Sequence, residues 1–145
     1  NADIRLFDGI NSIIKRLYSK GHTLAIASSN THDTIYKHLN EHAMAEYFNV
    51  IVGKDDLPVE DGEPMLKPNP ACILLALDKL SCKPNHALYI GDQPSDIIAA
   101  RNIADYKDQA IPIIAVTYGF GREKDLLCLK PDYIASNPLD ILDHF

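Results

Sequence analysis

The chain has 145 residues, 46% hydrophobic and 23% charged, with 20 acidic against 14 basic side chains and a formal net charge of −6. That length buries one continuous core, and the acidic balance leaves no electrostatic footprint for nucleic acid or for an anionic membrane surface. Cys72, Cys82 and Cys128 form no C-x-x-C pair, which argues against a disulfide framework and for a reducing, cytoplasmic setting. No apolar run approaches the ~20 residues of a transmembrane helix, and no signal peptide is visible. The first residue is Asn rather than Met, so a processed or cut chain is expected.

In chain order, the segment from Asp8 to Lys20 carries Ile10, Ile13, Ile14 and Leu17 at i, i+3, i+4 and i+7, the pattern of a helix with one buried face. Gly21 supplies its stop. The run Thr23-Leu24-Ala25-Ile26-Ala27 reads as a short strand of a parallel sheet covered on both faces. Ser28-Ser29-Asn30-Thr31 follows, a cluster of helix-capping types, and a helix through Tyr36 and Leu39 comes next. Tyr47 to Val52 predicts a second strand. Gly53 to Pro68 is acidic and unpatterned, as expected of a solvated loop. A helix then begins at Asn69 with Pro70 in its first position and presents Ile73, Leu74, Leu77 and Leu80 on one face.

The third strand is Ala87 to Ile90, and Ser95 to Ala104 the helix behind it. Ile113 to Val116 is a fourth strand, followed by Thr117-Tyr118-Gly119-Phe120-Gly121. A short helix at Lys124 to Leu129, a strand at Tyr133-Ile134 and a helix from Pro138 to Phe145 complete the chain. Strands alternating with helices at these lengths predict an α/β fold of Rossmann-like type, a mostly parallel sheet with helices on both faces. Right-handed crossovers bring the strand ends at Ser28, Asp92 and Gly119 to one edge.

Three features meet there. Ser28 and Ser29 offer hydroxyls and amides for an anion at a helix start, or serve as plain N-caps. Lys67 offers a compact ammonium for a phosphate, or is a solvated loop charge. In Gly91-Asp92-Gln93-Pro94-Ser95-Asp96, Pro94 suits a first helical turn and Asp96 sits where the helix dipole favours a carboxylate. Asp92 with Asp96 offers hard oxygen ligands for Mg²⁺, or is a turn former beside a helix-start residue. Together, hydroxyl, ammonium and paired carboxylates make a coherent phosphate-plus-Mg²⁺ site. The histidines show no metal-ligand spacing, and neither Cys72 nor Cys82 has the basic surroundings of a nucleophile.

The order of Leu24-Ala25-Ile26-Ala27-Ser28-Ser29-Asn30, Lys67-Pro68-Asn69-Pro70 and Gly91-Asp92-Gln93-Pro94-Ser95-Asp96 resembles motifs II, III and IV of the haloacid dehalogenase (HAD) superfamily, in its phosphoglycolate-phosphatase-like branch. Asp8-Gly9-Ile10, Tyr47-Phe48, Gly53-Lys54-Asp55-Asp56 and Pro131-Asp132-Tyr133-Ile134 extend the similarity nearly end to end. The resemblance implies that Ser28, helped by the amide of Ser29, binds the transferring phosphoryl group. It implies that Lys67 stabilises charge on nucleophile and phosphate, that Asp92 ligates Mg²⁺, and that Asp96 supports the metal directly or through water. The implied reaction is hydrolysis of a small phosphorylated metabolite through an aspartyl-phosphate.

The chain departs from the family in two respects, of which the lesser is a stretch between Asp56 and Lys67 a few residues longer than usual. The family's motif I, a strand ending Asp-x-Asp-Gly-Thr that supplies the nucleophile, is missing, and so is the cap that follows it. Leu6-Phe7-Asp8-Gly9 lacks the second Asp and falls at the cap exit. Residues 1–145 are therefore expected to be the C-terminal portion of a HAD-like core domain. The absent strand is the middle one of the family's sheet, so the strands at Leu24–Ala27 and Leu88–Ile90 are expected to present unpaired apolar edges. A preceding segment or another chain would complete them, and the chain alone is expected to be inactive. The competing expectation is a non-catalytic HAD-like binding or regulatory domain. Dehalogenation of a 2-haloacid fits less well, because both motif IV acids are kept for a metal.

Overall fold

The computed structural model describes residues 10–118 and 121–145. The Leu6-Phe7-Asp8-Gly9 segment and Gly119-Phe120 lie outside the described residues. Helix α1 (Ile10–Ser19) buries Ile13 and Leu17. It ends at Gly21, whose φ of +90° is a backbone conformation open to glycine and strained for other residues. Strand β1 (Ala25–Ala27), helix α2 (His32–Glu41) and strand β2 (Val50–Val52) follow. Ala25, Ile26 and Ala27 pair in parallel with Val50, Ile51 and Val52. Pairing starts where Asn49 bonds Leu24 through both its amide and its side chain, so both strands are shorter than the apolar runs suggest.

The stretch expected as loop after β2 is more ordered than its composition indicates. Lys54–Asp56 is a 3₁₀ turn, and β3 (Val59–Glu60) and β4 (Glu63–Pro64) form a small antiparallel hairpin. Asp61 and Gly62 turn it with φ of +53° and +80°. Two successive positive φ values are what a two-residue hairpin turn requires, and Asp-Gly is a favoured pair for it. Helix α3 (Ala71–Leu80) starts one residue later than expected, with Pro70 just before it and the Asn69 side chain accepting the Ala71 amide at 2.9 Å.

The second half contains β5 (Tyr89–Gly91), α4 (Pro94–Asn102), the single-turn α5 (Ala104–Lys107), β6 (Ile113–Val116), α6 (Glu123–Cys128) and β7 (Tyr133–Ala135). The helix expected at the end is a 3₁₀ segment, Pro138–His144, capped by Asn137. Asp140 accepts the Ser136 and Asn137 amides while its own amide donates to the Asn137 side chain, a set of short-range bonds that holds the start of the segment in tight turns.

Strands β5, β6 and β7 form one parallel sheet in that order, while β1 and β2 form another. Both sheets share their helical layers. On one side, Val52 of β2 and Ile113 and Ala115 of β6 pack in one cluster with α3 (Cys72, Ile73, Ala76, Leu77) and α4 (Ile97, Ala99, Ala100). On the other, α1 packs Ile13 and Leu17 on Ile114, Val116 and Ala135, and α2 packs Ile35 and Leu39 on Ile51. The inward and outward sets alternate along each strand with the period of two that a doubly covered sheet requires. The result is a parallel α/β fold with two helical layers. Among the described residues β1 pairs only with β2, and β5 pairs only with β6. Among these residues the edges of β1 and β5 expected to lack a partner do lack one, as do β2 and β7 at the other margins of the two sheets.

Candidate active site

The C-terminal end of β5 runs through Gly91 directly into α4, with Gln93 at the N-cap and Pro94 in the first position. Gly91 is required here by packing, since an added Cβ would collide with the side chain of Asp96. Asp96 is 5% exposed, the only charged residue among the buried described ones. Its Oδ2 accepts the amides of Asp92 at 3.1 Å and Gln93 at 3.0 Å, two donors that the start of a helix leaves without intrahelical partners. Asp92 is thus anchored through its backbone to Asp96, while its carboxylate sits half-buried at the strand end.

Lys67 reaches this point from the loop before α3. Its Nζ meets Asp96 Oδ1 at 2.5 Å in an ion pair whose side chains are 12% and 7% exposed. The same Nζ donates to Tyr89 Oη at 3.2 Å and to the Ala27 carbonyl, the last residue of β1, at 3.4 Å. One ammonium therefore joins the end of β1 to β5 and to the start of α4. The Lys67 loop is tied down by Asn102 of α4, whose amide donates to the Pro68 carbonyl at 3.3 Å. The Lys67–Pro68 peptide bond is cis.

Ser28 and Ser29 follow β1 directly, and the Ser28 amide continues the ladder to Val52 O at 2.9 Å. They do not cap α2. Thr31 does, accepting the Thr34 amide at 3.3 Å. The Ser28 hydroxyl instead accepts the Asn30 amide at 3.1 Å, and Ser29 is exposed. The loop is held from behind by the turn after β2: Lys54 N–H donates to Asn30 O at 2.9 Å, and Asp55 accepts the His32 amide at 2.8 Å. Gly53 permits that approach, because a Cβ there would lie 2.5 Å from His32 N.

Two tyrosines join the site without having been singled out by spacing or motif. Tyr89 Oη lies 3.2 Å from Asp96 Oδ1 as well as from Lys67 Nζ. Burial first, then the Asp96 charge, pushes its phenol well above the ordinary range, so it stays a neutral donor. Tyr118, after β6, has its phenol pushed up to about 12 by burial and by the Asp92 charge. The signal for Tyr89 was a polar tip inside a strand otherwise read as wholly apolar. Backbone closes the edge from the other side, as Gly121 packs so near the Asp92 carbonyl that a Cβ would collide with it.

The structure thus brings Lys67, Asp96 and Asp92 together and sets Ser28 at the end of the neighbouring strand. Among the described residues no group of three or more His, Cys, Asp or Glu side chains could hold a metal ion by itself.

A parallel α/β core that gathers hydroxyl, ammonium and carboxylates at its strand ends is a Rossmann-like domain with a site suited to anions. The chain belongs to the haloacid dehalogenase-like hydrolase family, whose model matches residues 1–104. It is 27% identical over 138 residues to a phosphoglycolate phosphatase of Vibrio vulnificus, covering 95% of this chain and 55% of that protein. It is 29% identical over 137 residues to the pyrophosphatase PpaX of Halalkalibacterium halodurans, covering 94% of this chain and 58% of that protein. A haloacid dehalogenase-like hydrolase from Streptococcus pneumoniae superposes with a TM-score of 0.79 at 29% identity, over 97% of this chain and 60% of its own. The chain spans between half and two thirds of the length of these relatives.

Proposed function

We propose that this chain is the C-terminal part of the core domain of a phosphoric monoester hydrolase acting on a small phosphorylated metabolite. The observation that carries the reading is the Lys67 ammonium, held at 3.4 Å from the end of β1 and in contact with Asp96 at the start of α4. A buried-facing cation at the meeting of two strand ends is where a phosphoryl group would need charge neutralised. Ser28 and the exposed Ser29 follow Ala27 directly in the chain and would bind phosphoryl oxygens. The names of the relatives, a phosphoglycolate phosphatase and a pyrophosphatase, support phosphate-ester or anhydride substrates.

Asp92 fits a Mg²⁺ site as one hard oxygen donor, since this ion commonly takes one or two carboxylates with waters and substrate phosphate completing its shell. Asp96, with both oxygens already bonded within the fold, supports that site by orienting Asp92 and Lys67. When bound, Mg²⁺ would neutralise charge on the phosphoryl group. The nucleophile is an aspartate on a further strand, entering between β1 and β5. Its carboxylate oxygen forms a bond to phosphorus as the ester oxygen leaves, and water then hydrolyses the aspartyl-phosphate.

Hydrolysis of p-nitrophenyl phosphate tests the reading. The 145-residue chain alone is expected to show no turnover. A longer polypeptide that adds an Asp-x-Asp strand is expected to hydrolyse it in Mg²⁺ and to stop on chelation. Turnover by the chain alone would overturn the division of the site. A longer polypeptide with no Asp-x-Asp strand and no turnover would leave the non-catalytic binding or regulatory reading in its place.

A further inference from the structure

We propose that Tyr89 is a positioning residue for Lys67, its hydroxyl deciding which of the three ammonium hydrogens is surrendered to substrate. This rests on the reading that Lys67 meets the transferring phosphoryl group. A lysine ammonium has three N–H donors and no acceptor. Here all three have partners, on three different elements: Asp96 Oδ1 of α4 at 2.5 Å, Tyr89 Oη of β5 at 3.2 Å, and Ala27 O of β1 at 3.4 Å. The Tyr89 hydroxyl has a single hydrogen, which it gives to Asp96 Oδ1 at 3.2 Å, leaving its lone pairs to accept from Lys67. Lysine, aspartate and tyrosine close a triangle, and Asp96 is pinned in turn by the Asp92 and Gln93 amides.

An incoming phosphoryl oxygen has to replace one of the three acceptors. The Ala27 carbonyl is the longest contact and uncharged, and it faces the end of β1, where Ser28 begins. It is the bond to be exchanged, while Asp96 and Tyr89 keep the other two hydrogens. Without the hydroxyl, only the longer Ala27 contact opposes the pull of the carboxylate, and the flexible four-carbon stem lets the ammonium settle onto Asp96, away from β1. Packing alone does not explain a tyrosine here, since its ring lies against an otherwise apolar cluster that a phenylalanine would fill equally well.

The experiment uses the longest polypeptide that carries these residues and hydrolyses p-nitrophenyl phosphate. Tyr89→Phe is expected to lower kcat about tenfold with KM changed less than about twofold, the signature of lost orientation at the reacting centre. Tyr89→Leu is expected to match Tyr89→Phe in kcat while melting lower. Lys67→Ala is run beside them. If Lys67→Ala is inactive and Tyr89→Phe stays within about twofold of the parent in kcat, the Tyr89 proposal fails and the phosphatase reading stands. A Tyr89→Phe loss that tracks a fall in folded fraction, or that appears only in KM, also overturns it. Full activity of Lys67→Ala, or absence of hydrolysis in every polypeptide tried, removes the phosphatase reading and the Tyr89 proposal together.

Discussion

Ile90 and Ile114 are the same residue, paired in register on neighbouring parallel strands, yet Ile90 is 36% exposed and Ile114 is 0% exposed. Strand β6 is bonded on both sides and buried at all four positions, whereas β5 is bonded on one side and is half-buried at Tyr89, exposed at Ile90 and buried only at Gly91. β1 repeats the pattern of β5, with three small or aliphatic residues, all only half-buried. Helices cover both faces of both sheets, so the exposure comes from the strand edges. The comparison separates two kinds of apolar strand among the described residues: one buried throughout, and two left open on one side, where the proposed function would place a further strand. The candidate catalytic groups cluster at the ends of the second kind.

The comparison can be broken or sharpened by substitution. The largest effect is expected at the junction the two open strands share. Lys67→Ala in a hydrolysing polypeptide should lower kcat/KM about 10²- to 10³-fold, the scale seen when one group stabilising transition-state charge is removed. A steady-state assay checks it, with a melt to confirm folding, because an unpaired buried Asp96 is itself destabilising. Next comes the closed strand: Ile114→Ala should cost about 2–5 kcal/mol in denaturant unfolding, as expected for a fully buried isoleucine.

Gly91→Ala should cost about 1–3 kcal/mol, since its Cβ overpacks against Asp96, and should weaken activity more than stability by displacing that carboxylate. Ile90→Ala in the chain alone should cost only about 1 kcal/mol, in keeping with its exposure. The same change in a polypeptide that completes the sheet should approach the Ile114→Ala value. Equal costs for Ile90→Ala in both settings would mean that no strand enters there. The smallest effect is chemical rather than energetic. Alkylation followed by mass spectrometry should label the exposed Cys128 first and Cys72 last, because Cys72 is 2% exposed and burial raises its thiol above the ordinary range.

Much of the fold was legible beforehand. Ile13 and Leu17 of α1, Ile113–Val116 as β6 and Pro94 opening α4 all follow from periodicity and helix-start chemistry, which act over a few residues. The misread stretches had a local signal of another kind. Asp61-Gly62 is a hairpin turn pair, hidden inside an acidic segment read as loop. The serines after β1 carry the right chemistry, yet Thr31 caps α2, because the chain makes one more turn before the helix begins.

At the candidate site, residue types and order alone singled out Ser28, Ser29, Lys67, Asp92 and Asp96, because phosphate and Mg²⁺ chemistry demands hydroxyl, ammonium and carboxylate. Sequence by itself also determined the parallel α/β fold, through strand and helix periods, whereas the place of the open edges was implied only by the resemblance to the family's sheet. Only the tertiary structure decided how those groups divide. Asp96 is separated from Lys67 by 29 positions and from Ala27 by far more, so no local rule pairs them. Their meeting depends on two crossovers and a shared helical layer. The same holds for Tyr89, whose hydroxyl acquires a role only when a lysine from a distant loop and an aspartate seven residues on, past the strand-to-helix junction, arrive at the same point.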